Sequence, residues 1–388
     1  MSQINLKQTL GATKIAQKTI GDKINDEFIN KIIHDHIEII EKLVEDNLQD
    51  QFYKEILDHL KKTKKVKIKI NKHVELFILN NKNNFNRIFK YIRHRLIFEK
   101  CGKEKIDIGY PPYLLIEPVS TCNLKCPFCF QIDKSFTKKP FMGVMNFDLF
   151  KKIINEANEL GVGAITIASR GEPTLHPKFS EMLDYISNFP SIFECKVNTN
   201  GSFLDEKKIH SILKNNITQL VISADHYEKE KFEKLRVNSN FEKIVSNVDL
   251  LFNIRKDFYP NSITEIRISG IDNEKNLDQD TFRDFWIQRS DHVTSSYPLE
   301  RWDTYNNSVH KNINDPCENL WDRMYIWFDG KVNPCDADYK SKLSYGNFND
   351  NKISEIWKNK KIQQLRHDHI NEKRICHNPC DRCGTTFI

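Results

Sequence analysis

The grouping of the cysteines constrains this chain more than any other feature. Of the ten present, Cys122, Cys126 and Cys129 stand at C-x3-C-x2-C spacing, directly behind the apolar run YLLIEPV (113–119). Cys317, Cys335, Cys376, Cys380 and Cys383 crowd the last fifth of the chain. The opening stretch MSQINLKQTLGATKIAQKTI lacks the apolar core of a secretion signal, so a cytoplasmic location is expected. In a reducing compartment clustered thiols point to metal rather than to disulfides. Three thiolates in one loop can face a common point. They leave one iron of a [4Fe–4S] cube without a protein ligand, and an open iron can coordinate a small molecule directly. The alternative is a zinc site, which usually wants four closed ligands at two paired spacings. His176 could supply the fourth, but a predicted helix separates it from the loop.

The spacing of apolar residues divides the chain in three. Residues 1–110 read as mostly helical: Ile29, Ile33, Ile37, Ile40 and Val44 form one stripe, and Phe52, Tyr53, Ile56, Leu57 and Leu60 another. KKVKIKI (64–70) alternates and suits a short strand, and a further helix is expected from about Asn84 to Phe98. The Lys61–Lys69 charge run reads as a solvated face. From residue 111 to about 300, strands alternate with helices. The strands are expected at 113–119, 164–169, 194–201, 219–225, 264–271 and 292–297, which implies a parallel sheet of six βα units. Ligands of such sheets lie at the carboxyl ends of the strands, where Gly171-Glu172-Pro173, Asn198, Ser223 and Ser269 fall. The tail, 301–388, reads as short strands, an Asp329-Gly330 turn and one helix near Ile353–Arg366.

Composition excludes several classes. A 388-residue chain is long enough for two or three domains or a barrel with appendages. Its net charge of +6 is far weaker than the footprint of a dedicated nucleic-acid binder, so no nucleic-acid partner is expected. No apolar stretch approaches membrane-spanning length. Cys101 and Cys195 read as buried small apolar residues. His367 and His369 read as solvated, and Trp321, Tyr325, Trp327 and Phe328 as packing beside the tail cysteines.

The loop STCNLKCPFCF (120–130) strongly resembles the radical S-adenosylmethionine enzymes, with Phe128 as their aromatic residue before the third cysteine. Gly171-Glu172-Pro173 resembles their "GGEP" segment, with Arg170 in place of the usual glycine. The resemblance covers about residues 113–388. It implies an α/β fold, a partial (β/α)6 barrel with Cys122, Cys126 and Cys129 holding a [4Fe–4S] cluster. S-adenosylmethionine would bind the open iron and be cleaved, after one-electron reduction, to methionine and a 5′-deoxyadenosyl radical that abstracts hydrogen from substrate. It implies cofactor contacts from Phe128, Ser169, Gly171, Glu172, Pro173, Asn198, Ser223 and Arg267, and a reducing partner such as flavodoxin or ferredoxin.

The tail is similar to the SPASM or shorter twitch extension of the same superfamily. Cys317, Gly330 and Cys335 match its C-x(n)-G-x4-C hairpin, and GNFNDNKISEIWKN (346–359) its entry into the intervening helix. A full extension has about seven cysteines for two clusters, as the resemblance implies. Five here imply one auxiliary [4Fe–4S] cluster on Cys317, Cys335, Cys380 and Cys383, with Cys376 spare or an alternative ligand. The other metal for this set is a four-cysteine structural zinc. Two functions follow: a radical oxidoreductase on a small polar substrate such as a sugar, aminocyclitol or nucleotide-sugar, or a peptide maturase. A non-catalytic electron carrier is the third class, and the Gly-Glu-Pro turn and the open three-cysteine site argue against it. Candidate bases are Asp225, Asp272, His292, Tyr297, Glu300 and Asp303.

Overall fold

The computed structural model describes residues 25–215, 217–272, 277–296, 303–309 and 313–383. Five helices come first: α1 (Asp26–His34), α2 (Ile37–Asp46), α3 (Gln51–Thr63), α4 (Lys72–Asn80) and α5 (Phe85–Glu104). Asn25, Asp50, Asn71 and Asn84 cap four of them, each accepting a hydrogen bond from a first-turn backbone N–H. Ile29, Ile40, Phe52, Ile56, Ile88 and Ile92 sit in a separate apolar core beneath these helices. The expected strand at 64–70 does not form. Val66, Ile68 and Ile70 are buried in alternation, as the pattern suggested. Their backbone, however, pairs with side chains: Val66 N–H donates to Asn30 Oδ1 at 2.8 Å and Lys69 N–H to Glu99 Oε1 at 3.3 Å.

The α/β region follows as β1 (Tyr113–Ile116), α6 (Phe147–Leu160), β2 (Ala164–Ile167), α7 (Phe179–Ile186), β3 (Glu194–Thr199), α8 (Glu206–Lys214), β4 (Gln219–Ser223), α9 (Lys229–Leu235), α10 (Phe241–Phe258), β5 (Glu265–Ile271), α11 (Gln279–Ile287) and β6 (His292–Ser296). The tail adds α12 (Asn319–Asp322), β7 (Arg323–Ile326), β8 (Lys331–Asn333), β9 (Gly346–Asn347), α13 (Ile353–Trp357) and α14 (Lys360–Ile370). The one tail helix expected is thus two, parted where Asn359 caps α14. Strands run in the order β6-β5-β4-β3-β2-β1-β7-β8-β9. β1 to β6 are parallel neighbours, and β7 pairs parallel to β1 with Tyr113 opposite Arg323. The sheet is not closed among the described residues, so the α/β fold is a partial barrel. Leu114, Ile165, Val197, Leu220, Ile266 and Val293 face the helices in one apolar core, and the alternate side chains face the lumen.

α4 and α5 cover the amino-terminal ends of the strands through buried charge. Glu194 of β3 accepts from Tyr91 Oη at 2.5 Å and lies 3.3 Å from Arg95 Nη1. His73 stands 3.5 Å from both Glu194 and Glu265. Glu265 accepts from Gln219 Nε2 at 2.7 Å and meets His292 Nδ1 at 2.9 Å. His292 therefore opens β6 at the end remote from the cysteine loop, which removes it from the candidate bases near the carboxyl ends. No helix among the described residues is long and apolar enough to cross a membrane.

Candidate metal and cofactor site

The residues between β1 and α6 carry the first three thiols. Cys122 and Cys129 are half-buried and Cys126 buried. The three lie close enough to influence one another's ionisation. Burial pushes the Cys122 and Cys129 thiols up to about 12, and raises that of Cys126. Buried neutral thiols of this kind lose their protons to a metal. The loop is held from several sides. Asn200, beyond β3, places Nδ2 3.8 Å from Cys122 Sγ and 2.8 Å from Asn123 Oδ1. Lys125 N–H donates to Val237 O at 3.0 Å. The buried Arg236 guanidinium pairs with Asp225 at 2.8 Å and faces Cys126. Asp225 Oδ1 also accepts from Ile271 N–H at 2.9 Å, so this candidate base is held in structure. Asp272 is buried and accepts from Leu277 N–H, and Asp303 sits in an exposed-side turn with φ of 54°. Tyr297 and Glu300 lie outside the described residues.

The Gly-Glu-Pro turn packs onto that loop. A Cβ on Gly171 would stand 2.3 Å from Thr121 O and 2.4 Å from Val119 O. Glycine is needed here for contact with the chain leading into Cys122, rather than only for approach of a ligand. Gly171→Ala is therefore expected to cost both cluster iron and S-adenosylmethionine binding, read by iron assay and calorimetry. Glu172 is buried, and both its oxygens are taken: Thr174 Oγ1 at 2.5 Å and Thr199 Oγ1 at 2.7 Å bond Oε1, and Asn200 N–H at 2.7 Å bonds Oε2. It anchors the turn to the end of β3, and Pro173 starts a single 3-10 turn behind it. Around this turn several polar atoms are buried without partners: Ser169 Oγ, Asn198 Oδ1 and Ser202 Oγ. Ser169 also has a φ of 128°, a strained value for a non-glycine residue. Orphaned polar atoms beside three thiols fit a polar cofactor bound at a cluster. Ser223 ends β4 opposite Ser269, whereas Arg267 lies two residues deeper on β5. Phe128 is half-buried directly before Cys129.

Arg170 was legible only as a departure from a motif. In the structure it makes a buried, forked ion pair with Glu117, at 2.6 and 2.5 Å. Its Nη1 donates to Tyr339 O at 2.8 Å, and its guanidinium stacks 4.2 Å from the Trp327 ring. Gln131 Nε2 donates to Ser120 O and Arg170 O, closing the cysteine loop over this pair. Tyr339 stacks on Phe130 with centroids 5.0 Å apart and donates to Asp133 at 3.0 Å. The two cysteine-bearing regions therefore meet through one buried pair. Glu117→Gln leaves the guanidinium uncompensated and is expected to lower stability by about 3–5 kcal/mol, measured by denaturant unfolding.

In the tail, Cys317, Cys335, Cys380 and Cys383 line one cavity with His369 and Arg374. Cys376 is exposed and outside it. Burial raises the thiols of Cys317, Cys335 and Cys380. Arg374, 1% exposed, bonds Asp315 O and Cys380 O and presents positive charge to the thiols. His369, expected to be solvated, is fully buried and accepts from Cys317 N–H at 3.2 Å. Among the described residues no three His, Cys, Asp or Glu side chains are gathered for a single ion; a cube takes one sulfur per iron. Cys101 and Cys195 lie in the two apolar cores.

Residues 116–285 match the model of the radical SAM superfamily, and 317–384 that of an iron–sulfur cluster-binding domain, SPASM. A GTP 3',8-cyclase of Hydrogenovibrio crunogenus is 25% identical over 137 residues, 35% of this chain and 41% of its own length. A tungsten-containing aldehyde ferredoxin oxidoreductase cofactor-modifying protein of Pyrococcus furiosus is 30% identical over 114 residues, 29% of this chain and 30% of its own. The chain thus spans less than half the length of these relatives. Among solved structures, Streptococcus suis SuiB bound to precursor peptide SuiA aligns over 86% of this chain and 87% of its own, at 15% identity and a TM-score of 0.55. BtrN in complex with AdoMet and 2-DOIA aligns over 72% and 94%, at 18% identity and 0.50. These likenesses show the fold.

Proposed function

The chain belongs to the radical SAM superfamily and ends in an SPASM iron–sulfur domain, and from that premise we propose that it is an oxidoreductase acting on a small polar molecule. When bound, the cluster and S-adenosylmethionine supply reductive cleavage of the sulfonium and hydrogen abstraction. Cys122, Cys126 and Cys129 would hold that cluster, and Cys317, Cys335, Cys380 and Cys383 an auxiliary one. Ser169, Asn198 and Ser223 would meet the cofactor, and the turn at Gly171 with its anchor Glu172 would position the loop. A reducing partner such as flavodoxin or ferredoxin would deliver the electron.

The observation that carries the small-substrate reading is the polar lining of the lumen. Its floor is covered by His73, Tyr91 and Arg95 from the helices. Its wall is polar: Tyr113 Oη donates to Thr166 at 2.5 Å, and Lys196, Asn198, Arg267 and Thr294 are further along. A lining covered at one end and polar along its length suits a compact polar molecule. Cys317, Cys335, Cys380 and Cys383 line one cavity, and four thiolates on one cluster would leave no open iron there for substrate, which fits a path for a second electron. Deuterium is expected to move from labelled sugars, aminocyclitols or nucleotide-sugars into 5′-deoxyadenosine in reduced holoenzyme. Transfer only from a peptide would replace this reading with peptide maturation.

A further inference from the structure

The lumen holds two cations, Lys196 and Arg267, with no carboxylate bonded to either among the described residues. On β3, Cys195 and Val197 join the core, so Glu194, Lys196 and Asn198 face inward. On β5, Ile266 and Ile268 join the core, so Glu265, Arg267 and Ser269 face inward. The register puts Lys196 opposite Gln219 and Arg267 opposite Val221, two positions on along β4. His73 meets both Glu194 and Glu265, which that register sets two positions out of step, so the inward residues of β3 and β5 align in layers slipped by two positions. In the lowest, the carboxylates of Glu194 and Glu265 are engaged by Tyr91, Arg95, Gln219, His73 and His292. In the layer above, the Arg267 guanidinium finds only the neutral Thr294 Oγ1, at 3.3 Å from Nε and 2.9 Å from Nη2. Lys196 makes no hydrogen bond or ion pair among the described residues; Arg267 and Arg323 add positive charge beside it, and Glu194 and Glu265 act on it more weakly from the layer below. Arg323 is satisfied by Asp322, at 2.6 and 2.8 Å. The next layer, Asn198, Ser223 and Ser269, is neutral.

Both side chains are half-buried, and a cation withdrawn from water without a bonded counter-ion is unfavourable. Burial, then the two guanidinium groups, push the Lys196 ammonium down to about 8. An oxyanion would relieve both groups at once, and the arginine fork matches its planar edge. We propose that Lys196 and Arg267 form an oxyanion seat, so that the substrate is a small molecule carrying a phosphate or carboxylate group. The proposal rests on the radical-enzyme reading above and narrows it. Two residues separate this layer from that of Asn198 and Ser269, about 7 Å at the usual strand rise. That is room for roughly one sugar-sized ring between the anchored anion and the cysteine-loop end of the lumen. Arg267 then serves the substrate rather than the cofactor.

The test uses holoenzyme with both clusters and S-adenosylmethionine bound. Inorganic phosphate and acetate are titrated separately by calorimetry into the unmodified protein, Lys196→Met and Arg267→Met. At least one anion is expected to bind at one site per chain, and at least tenfold more weakly in either variant; which one binds identifies the group. A measurement that needs no variant is the rate at which acetic anhydride acetylates Lys196, mapped by mass spectrometry, with the binding anion expected to slow it. Equal affinity in all three proteins, no binding of either anion, or unprotected Lys196 overturns the seat. S-adenosylmethionine cleavage by the reduced unmodified protein is read on the same sample. Cleavage without an anion site removes this inference alone, and an anion site without cleavage removes the radical reading alone.

Discussion

Replacing Cys122, Cys126 and Cys129 together with alanine is expected to lower bound iron from about eight to about four per chain and to abolish cleavage of S-adenosylmethionine. The two thiol groups lie in different parts of the fold, one in the loop after β1 and one in a tail cavity. Each has its own supports: Asn200 and Arg236 for the first, Arg374 and His369 for the second. Loss of one set therefore leaves the other's donors in place. A remaining cluster held by four cysteines would have no open iron and so no position for S-adenosylmethionine. Iron and sulfide assays of anaerobically reconstituted protein, with chromatography of 5′-deoxyadenosine, decide the matter. About four irons in the unmodified protein, with zinc in the tail, would sink the two-cluster reading.

Cys335→Ala is expected to split two activities that run together in the unmodified enzyme. Cleavage of S-adenosylmethionine should persist, because it depends on the first loop. Product formation should collapse, because oxidation of a C–H carbinol to a carbonyl removes two electrons and the second needs an acceptor. Deuterium from labelled substrate should still reach 5′-deoxyadenosine. Cys335 packs beside Leu115, Tyr325 and Trp327, and Trp327 lies under Arg170. The variant should therefore be checked for folding by circular dichroism before its turnover is read. Unchanged product formation without the second cluster would make the tail structural and favour epimerisation or deoxygenation, in which the substrate suffers no net two-electron loss.

Much of the fold was written in local signals. The alternation from β1 to β6 is punctuated by caps at Asn146, Asp205, Asn240 and Asp278, each next to a short apolar run. The first thiol group is legible because its spacing is local. What stayed hidden depends on partners far away in sequence. β7 is only four residues long, and nothing in RMYI announces a parallel partner at 113–116. Glu117 and Arg170 are 53 residues apart, and neither alone suggests a buried fork. The strand expected at 64–70 was a correct burial pattern without a neighbouring strand. For His369 the sequence does carry a signal of burial. Ile362, Leu365, Arg366 and His369 recur at helical spacing, and all four are buried.

The pairing of β1 with β7 also sets a timetable for biosynthesis. One side of β1 has no partner until Arg323–Ile326 has emerged. At about 5–20 residues per second, the roughly 210 intervening residues take about 10–40 s to make. Through that interval the nascent chain presents an unpaired strand edge beside oxidisable thiols, a state prone to association with other strands. Chaperone cover and iron–sulfur delivery are best timed to the end of translation, and truncation before residue 323 is expected to yield insoluble protein.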